Sequence, residues 1–146
     1  MAVDVVTEIV IDRPLPKVAS YAREPDNAPA WYVNIESVEW KTPPPLQVGS
    51  RVGFVAHFLG RRLAYTYEIV DLVSEARLVM RTSEGPFPME TTYTWETTSA
   101  GQTRMTLRNR GEPTGFGKLV APLMAAAMRR ANRKDLAALK SILESE

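Results

Sequence analysis

Residues 114–146 read TGFGKLVAPLMAAAMRRANRKDLAALKSILESE, and this stretch determines how the rest of the chain is arranged. Apolar residues recur in it at spacings of three and four, which predicts one long helix with an apolar face. Thr114 can cap the first turn by accepting a hydrogen bond from a backbone N–H. The predicted apolar face carries Leu119, Val120, Leu123, Met124, Ala127, Ala131, Ala138 and Ile142.

The apolar face of this helix changes in side-chain size along its length. It begins with leucine and methionine, and Ala127 and Ala131 follow in the middle. Protein interiors contain few voids, so small inward residues indicate either a closely packed neighbour or an open space. We interpret the basic run 129–134, with Asp135 and two later glutamates nearby, as a solvated face of the helix.

Composition narrows the class of protein. The chain has 146 residues, which is typical of one domain, here 1–146. Its formal net charge of +1 gives no reason to expect a nucleic-acid partner. Cysteine is absent, and no apolar run approaches the roughly 20 residues that a membrane span needs. Because MAVDVVTEIV also lacks the features of a signal peptide, we expect a cytoplasmic protein without a membrane span.

The chain before residue 114 alternates between apolar and polar residues over several short runs. This alternation predicts strands at 3–11, 33–40, 51–59, 62–73, 77–83 and 89–96, and a seventh that includes 104–110. Short helical patterns follow Pro14 and occupy 27–31. The predicted fold class is therefore α+β: a seven-stranded antiparallel sheet wrapped around the long C-terminal helix, with two short helices between strands 1 and 2. Outward acids of the sixth strand are expected to pair with arginines of its neighbours.

The inward positions of these strands mix aromatic, methionine and polar side chains. Thr7, Thr82, Thr91 and Asn109 are polar members of the set. A buried polar group without a partner costs about 1–3 kcal/mol, so these groups need one another, water or a ligand. Ligand pockets typically combine aromatic walls with a few convergent polar groups. The alternative is a filled core in which the threonines form local hydrogen bonds.

Several short motifs resemble those of one superfamily. They are Ile11-Asp12-Arg13-Pro14 with Val18, Pro29-Ala30-Trp31, Val48-Gly49-Ser50-Arg51, Phe58-Leu59-Gly60-Arg61-Arg62 and Gly85-Pro86-Phe87-Pro88-Met89-Glu90. With the order of elements, they resemble the SRPBCC superfamily of START-like and pollen-allergen-like proteins, and within it the polyketide cyclase/dehydrase family. The resemblance covers essentially the whole chain. It implies a helix-grip fold with a hydrophobic cavity between the sheet and the last helix, in proteins of which many are binders and some are cyclases or aromatases.

The sequence provides no evident catalytic or metal-ligating set. His57 is the only histidine and is assigned to the solvent face, which argues against a histidine metal site or a Ser-His-Asp triad. Inward tyrosines with a pKa near 10 are poor bases at neutral pH, and Asp71 is assigned to the rim. We therefore expect no catalytic residue, no metal and no cofactor. The expected ligand-binding residues are Trp31, Phe54, Phe58, Tyr65, Tyr67, Met80, Met89, Thr91, Tyr93, Trp95, Leu107, Asn109, Leu123, Met124, Ala127 and Ala131.

These features favour a protein that binds a small hydrophobic, partly oxygenated molecule, such as a lipid, polyketide or aromatic metabolite. The first alternative is a polyketide cyclase or aromatase that acts in the same cavity. The second is a protein-interaction module that uses the basic face with Arg129, Arg130 and Arg133. The expected state is a monomer or a weak homodimer.

Overall fold

Alternating sequences form seven strands in the computed structural model, which describes residues 3–58, 60–85, 87–112 and 121–146. The strands are Val3–Ile11 (β1), Ile35–Trp40 (β2), Arg51–Phe58 (β3), Arg61–Val73 (β4), Arg77–Glu84 (β5), Met89–Thr97 (β6) and Thr103–Gly111 (β7). Their order in the sheet is β1-β7-β6-β5-β4-β3-β2, and every neighbouring pair is antiparallel. The predicted α+β fold class with a seven-stranded antiparallel sheet is confirmed.

Short helices cross between β1 and β2. Pro14 and Pro16 favour the start of α1, Leu15–Arg23, because proline is preorganised for a first helical turn. A 3-10 turn follows at Pro25–Asn27, and the helix α2 covers Ala28–Trp31. Buried residues of these helices, among them Val18 and Trp31, belong to the hydrophobic core.

The last helix, α3, covers Ala121–Glu144 and packs against β1. Leu136, Leu139 and Leu143 are buried on it. Its C-terminal end is attached to the corner after β1: Lys140 Nζ donates to the carbonyl of Val10 over 2.8 Å, and Glu144 accepts from the backbone N–H of Asp12 over 2.8 Å. The expected cap at Thr114 and the positions Leu119 and Val120 lie outside the described residues.

The inward face of α3 differs from the predicted one. Leu123 is 69% exposed, so its predicted inward position is wrong, and the buried positions of this part of α3 include Met124, Met128, Asn132 and Asp135. The prediction from periodicity fails because the inward face of α3 carries the polar side chains of Asn132 and Asp135. Apolar periodicity alone therefore selects a neighbouring stripe, which contains Ala127, Ala138 and Ile142 at half-buried positions.

Charged side chains on the outer face of the sheet pair across strands. Glu90 of β6 bridges Arg81 and Arg110 of its two neighbours, and Glu96 pairs with Arg104 over 3.1 Å. This confirms the predicted pairing of acids on β6 with arginines of the adjacent strands. Exposed pairs of this kind contribute only about 0–1 kcal/mol each, so their main effect is on register and solubility.

No helix among the described residues is long and apolar enough to cross a membrane.

Candidate functional site

A cavity of about 130 Å³ lies between the concave face of the sheet and α3. An engineered protein cavity of about 150 Å³ accommodates benzene, so this space is on the scale of one aromatic ring. The strands β2 to β7, the segment after α2 and one face of α3 contribute to its walls. Its lining residues are Tyr32, Asn34, Ile35, Phe54, Ala56, Phe58, Leu63, Tyr65, Tyr67, Met80, Phe87, Met89, Thr91, Tyr93, Asn109, Met124, Met128, Ala131, Asn132 and Asp135.

Aromatic rings form much of the cavity wall and contact one another. Phe54 and Tyr67 meet edge to face with ring centroids 5.9 Å apart, and Tyr65 and Phe87 do so at 5.8 Å. Edge-to-face pairs are a favoured geometry, so they stabilise the wall beyond the area they bury. The hydroxyl of Tyr32, just after α2, and that of Tyr93 on β6 hydrogen-bond to each other.

These tyrosines remain protonated at neutral pH. Burial raises the pKa of Tyr67 to about 12, and it also raises the pKa values of Tyr32, Tyr65 and Tyr93. The phenol groups therefore act as hydrogen-bonding groups in the cavity, and they do not act as bases there.

A chain of polar side chains crosses the cavity from β6 to α3. The strand register places Thr91 opposite Asn109, and the Thr91 hydroxyl donates to Asn109 Oδ1 over 2.6 Å. Asn109 Nδ2 then donates to Asn132 Oδ1 over 3.2 Å. Asn132 is 4% exposed, and its Nδ2 has no hydrogen-bond partner among the described residues. The chain thus ends in an unsatisfied N–H donor on a residue that lines the cavity.

Two indole N–H groups, those of Trp31 and Trp95, also lack partners among the described residues, but neither tryptophan lines the cavity.

Asp135 lies one turn after Asn132 on the same face of α3. It is 3% exposed, and its Oδ1 accepts a hydrogen bond from the backbone N–H of Val33 over 2.8 Å. Burial raises the pKa of the Asp135 carboxyl to about 7, and the bond from Val33 opposes this shift. Its charge in turn contributes to the raised pKa values of Tyr32 and Tyr93, which places these phenols close to it.

Many of the predicted ligand-binding residues do surround this cavity. They are Phe54, Phe58, Tyr65, Tyr67, Met80, Met89, Thr91, Tyr93, Asn109, Met124 and Ala131. Their role in binding stays a prediction, since their position alone does not demonstrate a ligand.

Other predicted ligand-binding residues lie elsewhere. Trp31 is buried in the core with its ring centroid 4.1 Å from that of Tyr32, so the tyrosine of this pair reaches the cavity. Trp95 and Leu107 are also buried in the core and do not line the cavity. Leu123 is exposed, and Ala127 is half-buried outside the lining.

Sequence reasoning missed the two most polar groups on the helix side. Asn132 and Asp135 follow Met124 and Met128 at intervals of three and four. This spacing places all four residues on one face of the helix, and it is the sequence signal that could have identified them. Asp135 was instead grouped with the basic run that precedes it. The other lining residues that were not predicted are Tyr32, Asn34, Ile35, Ala56, Leu63, Phe87 and Met128.

His57 faces solvent, as expected, and Asp71, which was expected at the rim, does not belong to the cavity lining. His57 is exposed, with its Nε2 2.7 Å from Glu36 Oε2, and Asp71 pairs with Arg77 at 2.6 Å. The described residues contain no group of histidine, cysteine and acidic side chains suited to hold a metal ion.

Comparison with solved structures shows the same fold in proteins of low sequence identity. A protein of Thermus thermophilus is 23% identical over 98% of this chain and 99% of its own, with a TM-score of 0.83. The Zhui aromatase/cyclase from a Streptomyces species is 16% identical, with coverages of 99% and 94% and a TM-score of 0.81. A START superfamily protein from Mycobacterium smegmatis is 11% identical, covers 97% of each chain and has a TM-score of 0.82.

The sequence of the chain was also compared with curated proteins and with family models. No curated protein matches significantly. The family model described as polyketide cyclase / dehydrase and lipid transport matches residues 2–144. The match spans nearly the whole chain and agrees with the helix-grip arrangement of sheet and helix. The chain therefore belongs to the polyketide cyclase/dehydrase and lipid transport family.

Proposed function

We propose that the protein binds a small, largely apolar molecule that carries a hydrogen-bonding group, and that the cavity beneath α3 is the binding site. The observation that supports this most directly is the Nδ2 donor of Asn132, which has no hydrogen-bond partner in the described part of the chain. Leaving such a buried donor unsatisfied costs about 1–3 kcal/mol, and a carbonyl or hydroxyl oxygen of a guest would offset that cost. The surrounding aromatic and methionine side chains provide the apolar contact.

The size of the cavity limits the guest. A space of about 130 Å³ holds a group of about one ring without rearrangement. Met80, Met89, Met124 and Met128 line it, and the unbranched methionine side chain adapts to guests of different shape. A larger guest, such as the lipids or polyketides named in the family description, requires these side chains to move.

Two alanines of α3 provide a matched test with acetophenone, a single ring with one carbonyl oxygen. Wild-type protein is expected to take it up saturably in isothermal titration calorimetry. Ala131 lines the cavity, so Ala131→Phe fills the space and is expected to weaken uptake at least about tenfold, or 1.4 kcal/mol. Ala127 lies outside the lining, so Ala127→Phe is expected to bind like wild type. Absence of saturable uptake by wild-type protein, or equal loss in both variants, would contradict the proposal.

A second candidate function is proton transfer next to a carbonyl group, the step that a cyclase requires. Asp135, with a pKa of about 7, is poised to accept a proton near neutral pH. Asn132, one turn earlier, presents an N–H that can stabilise negative charge developing on a carbonyl oxygen. In this reaction the Asp135 carboxylate takes a proton from the carbon beside the carbonyl. The electron pair of the broken C–H bond shifts to form an enolate, whose oxygen accepts from Asn132 Nδ2.

Deuterium exchange tests this second candidate. Wild-type protein in heavy water is expected to exchange the methyl protons of acetophenone, as followed by proton NMR, because the enolate recaptures a solvent deuteron. Asp135→Asn is expected to abolish the exchange above the buffer rate, and His57→Ala, which changes an exposed residue, is expected to retain it. An unchanged exchange rate in Asp135→Asn would eliminate this function without affecting the binding proposal.

A further inference from the structure

We propose that the natural guest is an organic cation: a protonated amine on an aromatic or short apolar group, with the ammonium at Asp135. This inference rests on the proposed binding function and adds the charge of the ligand to it. It follows from the sign of the charge in the cavity, from the hydrogen bonding of Asp135 and from the aromatic walls.

The only formally charged side chain among the described lining residues is the carboxylate of Asp135. No lysine, arginine or histidine belongs to that lining. Arg61 acts electrostatically on Tyr65 without being part of it. A fatty acid or a phosphate ester would therefore place its negative charge in a cavity that already contains one, whereas a cation would be attracted.

Asp135 also accepts few hydrogen bonds for a buried carboxylate. Within the described residues its Oδ1 accepts from the backbone N–H of Val33, and no basic side chain forms an ion pair with the carboxylate. Buried charges are normally paired because removal from water is costly. A bound ammonium would supply the missing counter-charge and N–H donors for the remaining carboxylate oxygen.

Aromatic side chains also line the cavity that contains this carboxylate, and two of them, Tyr32 and Tyr93, interact with its charge. The lining includes Tyr32, Phe54, Phe58, Tyr65, Tyr67, Phe87 and Tyr93. Ammonium groups are attracted to the electron-rich faces of such rings, most strongly where water is excluded. Asn132 Nδ2, one turn from Asp135, remains available for an oxygen on the same guest.

Benzylamine and benzyl alcohol differ mainly in charge and therefore test this inference directly. At about pH 8 the amine is protonated and the Asp135 carboxyl is largely ionised. In isothermal titration calorimetry, wild-type protein is expected to bind benzylamine at least about tenfold more tightly than benzyl alcohol. Asp135→Asn is expected to remove this preference, so that the variant binds the two compounds with affinities within about twofold of each other.

Glu8→Gln provides a charge-matched control, since it removes one negative charge from an exposed position of β1. It is expected to leave both affinities unchanged. If wild-type protein binds benzyl alcohol and benzylamine equally, or if Asp135→Asn retains the preference, the cation inference is overturned and the binding function stands. If neither compound binds, the binding function itself fails and the inference fails with it. Retained binding of benzyl alcohol also shows that Asp135→Asn is folded.

Discussion

Leu139→Ala is expected to lower the free energy of unfolding by about 2–5 kcal/mol, the range seen when a buried leucine is truncated. Leu139 is a fully buried residue of α3, and α3 packs on β1. The loss combines the transfer free energy of the removed atoms with the cavity left behind. Helix propensity does not contribute to the loss, because alanine is at least as good a helix former as leucine.

Leu123→Ala is the matched control for this prediction, since it is the same substitution on the same helix. Leu123 is 69% exposed, so its truncation is expected to change the free energy of unfolding by no more than about 0.5 kcal/mol. Urea denaturation followed by circular dichroism measures both variants. Equal destabilisation would mean that Leu123 is buried, as apolar periodicity predicts, and would contradict its exposed position in the structure.

Asp135→Asn is expected to stabilise the protein above neutral pH. Burial raises the pKa of this carboxyl from 3.8 to about 7, so the folded protein holds the proton more tightly than the unfolded chain. The contribution of Asp135 to wild-type stability therefore declines as pH rises between these two values, whereas asparagine does not titrate. A shift of about 3 units corresponds to up to about 4 kcal/mol in favour of the variant at about pH 8, and the difference nearly vanishes at about pH 4.

Urea denaturation of both proteins at several pH values tests this prediction. Among the described residues, the backbone N–H of Val33 acts on the Asp135 carboxyl, and the charge of Asp135 raises the pKa values of the Tyr32 and Tyr93 phenols, which do not titrate in this range. Glu90→Gln should show the opposite trend, because hydrogen bonding from Arg81 lowers the pKa of Glu90. That variant is expected to be less stable than wild type at neutral pH, with the difference shrinking in acid. A pH-independent difference for Asp135→Asn would contradict the raised pKa.

The sheet could be predicted from the sequence because strand alternation is a local signal. Met89, Thr91, Tyr93 and Trp95 alternate without interruption, and all four are buried in the structure. The same regularity placed Thr91 and Asn109 on the concave face, where the antiparallel register makes them partners. Charge patterns on β6 and its neighbours similarly indicated adjacent strands.

The helix side of the site was less predictable, because the face of a helix is set by what it packs against. Leu123 and Met124 are adjacent in sequence, yet one is exposed and the other is buried. Alanines contribute little burial energy, so their periodicity is a weak guide to orientation. The inward positions of Asn132 and Asp135 depend on Asn109 of β7 and Val33 after α2, and neither contact is encoded within the helix itself.

The pairing of β1 with β7 has a consequence for the order in which the protein assembles. Val3 lies opposite Gly111 and Ile11 opposite Thr103, so among the described strands β1 pairs only with β7, which follows about 100 residues later. During synthesis on the ribosome, the hairpins from β3 to β6 can form as they emerge, whereas β1 has to wait until β7 has been made. Closing so long a loop is entropically costly and such non-local contacts form slowly. The first strand is therefore the part of the sheet whose docking comes late, and a stalled chain would leave its apolar face open to chaperones.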